Sequence, residues 1–287
     1  MNIYGRVWMT MMAMGFAAVF ARADGEIEQG QKAEARARPV EVGEMTVSIY
    51  TEGEPRVAQP SLFGDFPKTE IEAAIGSNKL MLATHFFSFV TDGKIVFVDS
   101  GTGGKDSPLQ RLFPPRSRIR HPDAFLITHG HFDHIGGLLL GDAPRFPGAK
   151  VYISKPELEH WGKEENKDSP TAKAIAAYGA NVVPFDFDTE VLPGVWARDA
   201  SGHTPGSTVF ETQDVYFVGD LLHVAALQFA KPDACASYDM DKDGAIAMRK
   251  AWLSKAAREG KPIVGAHFTS PVGCVREAKE GFIFVPQ

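Results

Sequence analysis

Apolar residues in this chain gather in short runs of strand length, separated by polar and glycine-rich breaks, rather than in long helical stripes. In the first half the runs are 45–50 (MTVSIY), 80–90 (LMLATHFFSFV), 94–99 (KIVFVD), 123–128 (DAFLIT) and 150–154 (KVYIS). In the second half they are 181–185 (NVVPF), 195–200 (VWARDA), 208–212 (TVFET), 215–220 (VYFVGD) and 262–267 (PIVGAH). Asp92-Gly93 and Gln213-Asp214 read as hairpin turns. Two helices have legible ends. Ser169 opens 170–178 and Gly179 stops it; Asp241 or Asp243 caps 244–259 and Gly260 stops that one. Two strand-rich halves with interspersed helices predict an α/β (α+β) fold of two mixed sheets packed face to face, helices outside. No Pro/Gly-rich linker divides residues 44–287, so they read as one domain.

The N-terminus follows a different pattern. Residues 1–8 carry one arginine, 9–20 (MTMMAMGFAAVF) are almost wholly apolar, and Ala21-Arg22-Ala23 forms an A-x-A site. That is the layout of a cleavable signal peptide over 1–23, which places the mature protein in the periplasm or outside the cell. The apolar run is too short for a membrane span, so no membrane association is expected after cleavage. Residues 24–43 are polar and poor in aromatics, and read as a flexible leader. Cys235 and Cys274 are the only cysteines; in an oxidising compartment they are free to pair, and spacing alone leaves that open.

Composition narrows the partners. With 44% hydrophobic and 23% charged residues and a net charge of −6, the chain lacks the basic surface that phosphate backbones require, so no nucleic-acid partner is expected. A small-molecule substrate fits better.

Of nine histidines, three fall within the six positions of 129-HGHFDH-134. The candidate ligands sit where strands give way to loops: His129, His131, Asp133 and His134 after 123–128, His203 after 195–200, Asp220 at the end of 215–219, and His267 at the end of 262–266. Ligands at strand ends converge on one edge of a sheet sandwich, and mixed imidazole and carboxylate donors suit zinc or a similar divalent ion. The run 239-DMDKDG-244 copies half of a calcium loop, but position twelve is Lys250 instead of a bidentate glutamate, so helix capping is the better reading.

The set THGHFDH, GHTPGS, VGD and GAH, with 96-VFVDSGTGG-104 upstream, resembles the metallo-β-lactamase superfamily, whose fold is an αββα sandwich. The resemblance covers the chain from about Met45. It implies that His129, His131 and His203 hold one metal, that Asp133, His134 and His267 hold a second, that Asp220 bridges them, and that Asp99 lies beneath the site. Two divalent ions, zinc above all, then outweigh the charge of the two aspartates and a bridging hydroxide, which is the expected nucleophile. An aspartate at position 220 resembles the branch with glyoxalase II, tRNA-processing nucleases, lactonases and methyl parathion hydrolase rather than the true zinc β-lactamases. The segments 219-GDLLHVAALQF-229 and 281-GFIFVPQ-287, and Trp161, resemble methyl parathion hydrolase in particular. Relatives in this branch are often dimers, which implies a homodimer.

His223 stands where quorum-quenching lactonases of this resemblance place a substrate-binding tyrosine. A histidine there donates to a carbonyl oxygen, unless it is only a packed surface residue. Asp220, His223 and Asp133 are therefore the catalytic candidates. Phe132, Trp161, Phe229, Tyr238 and Phe268 are the candidate pocket walls, and His85, His121 and His160 read as structural or exposed. The expected activity is hydrolysis of lactones or aryl esters. The alternatives are phosphotriester hydrolysis, a β-lactamase, an iron oxidoreductase of the same fold, and a metal-binding module without turnover.

Overall fold

The computed structural model describes residues 37–76, 79–114 and 119–287; the signal segment and the leader up to residue 36 lie outside the described residues. Two seven-stranded sheets carry the chain, and in each the strands lie side by side in sequence order. The first sheet holds β1 (Arg38–Val42), β2 (Met45–Thr51), β3 (His85–Thr91), β4 (Lys94–Val98), β5 (Ala124–Leu126), β6 (Lys150–Ser154) and β7 (Val182–Phe185). The second holds β8 (Thr189–Leu192), β9 (Val195–Asp199), β10 (Thr208–Glu211), β11 (Tyr216–Gly219), β12 (Ile263–Gly265), β13 (Val272–Glu277) and β14 (Phe282–Pro286). Antiparallel pairing joins β1 to β4, β8 to β11 and β12 to β14, while β4 to β7 and the β11–β12 pair run parallel across helical crossovers.

Alternation along the strands explains the layering. On β4, Val96 and Val98 face the other sheet, where they meet the cluster of Phe87, Phe89, Phe210, Phe217 and Val264. Ile95 and Phe97 face the other way, against Leu109 and Phe113, in the cluster that also takes in Tyr178. The second sheet does the same, sending Val209, Tyr216 and Val218 outward onto Trp252 and Leu253 of the long helix. Strands covered on both faces read as near-continuous apolar runs, which is the pattern observed. The helices are α1 (Lys68–Ile75), α2 (Pro108–Leu112), α3 (Phe132–Ile135), α4 (Lys155–Trp161), α5 (Pro170–Tyr178), α6 (Ala225–Gln228) and α7 (Lys242–Glu259). None among the described residues is long and apolar enough to cross a membrane.

The predicted turns and caps are present. Asp92 and Gly93 both have positive φ (48° and 69°), as a two-residue hairpin turn requires. Ser169 caps α5, and Asp241 rather than Asp243 caps α7, accepting from the Gly244 amide at 3.0 Å.

Two expectations need correction. Arg38–Val42 is no part of a leader: it is edge strand β1, paired with β2 from Arg38↔Ile49 to Val42↔Met45. The 80–90 run is broken. Its middle leaves the sheet to pair with the other half of the chain, Ala83 N donating to His267 O (3.1 Å) and His85 N to Ala266 O (2.8 Å). Residues 282–286 form a closing strand on β13, and both thiols are free.

Candidate metal centre

The edge where strand ends from both sheets meet carries the histidines. β5 delivers His129 and His131 through a tight loop, and the short helix α3 turns Asp133 and His134 back toward them. His203 comes from the β9–β10 loop, Asp220 follows β11 and His267 follows β12. Gly219 adopts φ of 50°, and a Cβ there would sit 2.8 Å from Thr128 Cβ, so glycine lets Asp220 approach the histidine loop.

These side chains form two adjoining donor groups. His129, His131 and His203 offer ligand atoms all within 4.8 Å of one another, and so do Asp133, His134 and His267. Asp220 lies between them. Its Oδ2 is 3.7 Å from His129 Nε2, 3.5 Å from His203 Nε2 and 3.1 Å from His267 Nε2, while its Oδ1 is 3.1 Å from His134 Nε2. The geometry thus brings together all seven sequence-predicted ligands.

The fit to metal ions shows in the unmet polar atoms. His134 Nε2, Asp220 Oδ1 and both ring nitrogens of His223 are buried without a hydrogen-bond partner. Buried polar groups are rarely left so, and here the orphaned atoms include ligand-type donors pointing into one cluster. The far sides of the rings are fixed. His134 Nδ1 donates to Asp99 (2.7 Å), His203 Nδ1 to Asp239 (2.8 Å) and His267 Nδ1 to the Ala83 carbonyl (2.7 Å). Such partners set the tautomer and leave Nε2 facing the centre. Asp99 also accepts from the amide and the hydroxyl of Thr128, each at 2.8 Å, which confirms its expected place beneath the site.

Electrostatics divide the histidines: burial opposes charge on His134 and His267, but Asp220 and Asp133 outweigh it and raise both, while His129 and His131 shift the opposite way. Burial and neighbouring imidazoles, His134 first, hold the His129 pKa well below its ordinary value, and burial with His203 pushes His131 down to about 3. Both rings are therefore neutral and can offer lone pairs. Burial opposes ionisation of Asp220, but His134, His267 and His129 outweigh it and hold the carboxyl well below its usual range.

The pocket list divides. Phe132 is 54% exposed with its ring beside Gly136, while Trp161 lies edge-on to His131 at 6.0 Å and Tyr238 edge-on to His131 and His203 at 6.4 and 5.8 Å, so the latter two rim the centre. Phe229 and Phe268 do not: they are buried against Phe284 behind the sheet, with Phe229 stacked on it at 4.8 Å. His223 is no surface histidine. It is fully buried, stacked on His267 at 5.6 Å, in contact with Tyr238, with Nε2 3.2 Å from Asp220 Oδ2. His85 is structural, bonded to Thr51 and the Phe268 carbonyl, while His121 is exposed and His160 half-buried. Sequence reading missed Asp239 and Arg249. The first was visible only as part of the calcium-like run, and the second as one more arginine on a helix.

The signature of the metallo-β-lactamase superfamily matches residues 84–267, from the break in the 80–90 run to the last histidine of the cluster. The chain belongs to the metallo-β-lactamase superfamily. Hydroxyacylglutathione hydrolase of Xanthomonas campestris pv. campestris (strain B100) is 30% identical over 131 residues, 46% of this chain and 43% of that protein. The enzyme of the same name from Stenotrophomonas maltophilia (strain R551-3) is 32% identical over 131 residues, 46% and 42% of the two chains. The chain thus spans less than half the length of these curated relatives. Among solved structures, AidC, a dizinc quorum-quenching lactonase, superposes with a TM-score of 0.77 at 22% identity, covering 89% of this chain and 99% of that one. AbOPH, a hydrolase in the β-lactamase superfamily, gives 0.78 at 23% identity with the same coverage. At such identity these two establish the superfamily fold.

Proposed function

We propose that this protein is an exported, dinuclear metal-dependent hydrolase of lactones or aryl esters. One observation carries the reading: two ligand groups share the central carboxylate of Asp220, with orphaned donor atoms aimed between them. Imidazole and carboxylate donors in this mix fit zinc. Two divalent ions in such a site supply a nucleophilic water at neutral pH and polarise the attacked carbonyl.

The chain's own residues do the rest. Trp161 and Tyr238 give the apolar part of an acyl or aryl group a surface beside the centre. Asp133, with 30% of its side chain exposed against 4% for Asp220, is the cluster carboxylate placed to take up the proton released by the attacking water and pass it to the leaving alkoxide. His223 Nε2 faces Asp220 Oδ2 at 3.2 Å and neither ring nitrogen is held by a hydrogen bond, so its N–H is the group we assign to the oxygen on which negative charge grows during attack. Metal-loaded protein is therefore expected to hydrolyse lactones and aryl esters with kcat/KM well above that for aryl phosphotriesters and β-lactams. A screen in which either of the latter leads overturns the substrate class.

His223→Leu separates the two hydrolytic readings. A lost oxyanion donor typically costs about 10²–10³ in rate. The variant is expected to lose about that much on a lactone and to stay within a few-fold on an aryl phosphotriester. Equal losses on both substrates place His223 among the metal-holding groups instead.

Export rests on the charged, apolar and A-x-A series at residues 1–23. Mass spectrometry of protein from a secreting bacterial host should find Asp24 at the N-terminus, and a mature pool that retains Met1 rules the reading out.

A further inference from the structure

We propose that Glu157 is a positioning residue for the three-histidine group, a single buried carboxylate that ties together the two loops carrying His129, His131 and His203. The proposal rests on the reading that this group holds a metal ion. Glu157 lies in the first turn of α4 and is fully buried, although nothing in the sequence around it marks it as more than a helical glutamate.

Its two oxygens take four donors. Oε1 accepts from the Gly130 amide at 2.7 Å and from the Trp161 indole at 2.6 Å. Oε2 accepts from the Thr204 hydroxyl at 2.7 Å and from the Gly206 amide at 2.9 Å. Gly130 is the residue between His129 and His131, and Thr204 directly follows His203. One side chain therefore fixes the peptide between two ligands of the group and the residue next to the third. Its remaining contact is the indole of Trp161, which stands at the rim beside His131.

Surrounding contacts show that the bracket is closely built. The Gly130 carbonyl is held from the opposite side by the Thr171 hydroxyl at the start of α5. Ser154, which caps α4 through the Glu157 amide, also donates to the Gly206 carbonyl at 2.7 Å. A Cβ at Gly130 would lie 2.2 Å from Trp161 Nε1, and one at Gly206 would lie 2.3 Å from the Glu157 amide nitrogen. Both glycines are therefore needed for the loops to close onto α4.

Four donors on one side chain require a group that accepts at every position. A carboxylate does; an amide of the same shape offers one oxygen and turns an NH2 toward two of the donors. Glu157→Gln thus keeps volume and helix while breaking the bracket on one side. Partners behind metal ligands typically cost 10–100-fold in metal affinity when changed. No ligand of the Asp133, His134 and His267 group belongs to the bracketed loop residues, so the loss should be confined to one group.

The test is a double-mutant comparison of zinc affinity, read by competition with a chromophoric chelator. His267→Ala leaves the three-histidine group, and His131→Ala leaves the other. Glu157→Gln is expected to weaken zinc binding about 10–100-fold in the His267→Ala background and less than about 3-fold in the His131→Ala background. The Co2+ absorption spectrum should change in the first background alone. Should Glu157→Gln fail to fold, Thr204→Val removes one of the four donors and is expected to give the same one-sided loss at about 3–10-fold. Equal losses in both backgrounds, or none in either, overturn the proposal and leave Glu157 a structural residue. Wild-type protein that takes up no ion overturns it together with the metal reading. Wild-type protein with two ions, beside an unaffected variant, overturns the positioning role alone.

Discussion

Asp220→Ala is expected to abolish hydrolysis, by more than about 10³-fold since loss of even one transition-state donor costs 10²–10³, and to empty both metal groups together. The carboxylate reaches histidines from both groups: Oδ2 faces His129, His203 and His267, and Oδ1 faces His134. Truncation leaves Asp133, on the side of His134 and His267, as the remaining carboxylate of the cluster, so two dications placed there would repel each other without a shared counter-charge. A protein with two independent sites would behave differently, losing one ion and keeping the other. Metal analysis after dialysis decides the matter. Two tightly held ions in Asp220→Ala would falsify the bridging role, and one retained ion would reduce Asp220 to an ordinary ligand of a single site.

The candidate ligands were legible because metal chemistry restricts both residue type and place. His129, His131, His203, Asp220 and His267 each follow an apolar run, and the run identifies the strand whose end they occupy. The central strands were legible for a related reason, since strands such as Lys94–Val98 are covered on both faces and stand out as apolar. Arg38–Val42 was not, because an edge strand with Val42 as its one fully buried residue has the composition of a leader. Phe229 and Phe268 misled in the opposite sense. Proximity to a ligand in sequence says little about side-chain direction, and both rings turn away toward β14. The supports behind the ligands were invisible for want of any local pattern. Glu157 meets Thr204 across 47 positions and His203 meets Asp239 across 36, so neither pairing leaves a periodic trace.

Arg249 shows how costly one of those supports is to remove. It sits on α7, fully buried, and its guanidinium donates to the Leu221 carbonyl at 2.7 Å, to Pro232 at 2.8 Å and to Ala234 at 3.1 Å. A fourth contact reaches Asp239 Oδ2 at 3.3 Å, while the other oxygen of Asp239 holds His203. One cation therefore anchors the segment just after Asp220, the 232–234 segment, and the carboxylate behind a candidate ligand. Arg249→Met keeps much of the apolar length of the side chain but leaves Asp239 buried without its cation and takes a donor from the Leu221, Pro232 and Ala234 carbonyls, of which Ala234 keeps the Gln228 side-chain amide. Breaking a buried ion pair from one side costs about 3–5 kcal/mol, a large part of the 5–15 kcal/mol that holds a typical domain folded. For a domain of this size that corresponds to a fall in Tm of about 10 °C or more. The effect should also reach the centre, since Asp239 would no longer hold its position under His203, and zinc affinity of the three-histidine group should fall with it. Differential scanning calorimetry of the metal-free protein isolates the first effect from the second. A Tm within about 2 °C of wild type would mean that water or a shifted loop replaces the guanidinium, and that the buried arginine is dispensable to the fold.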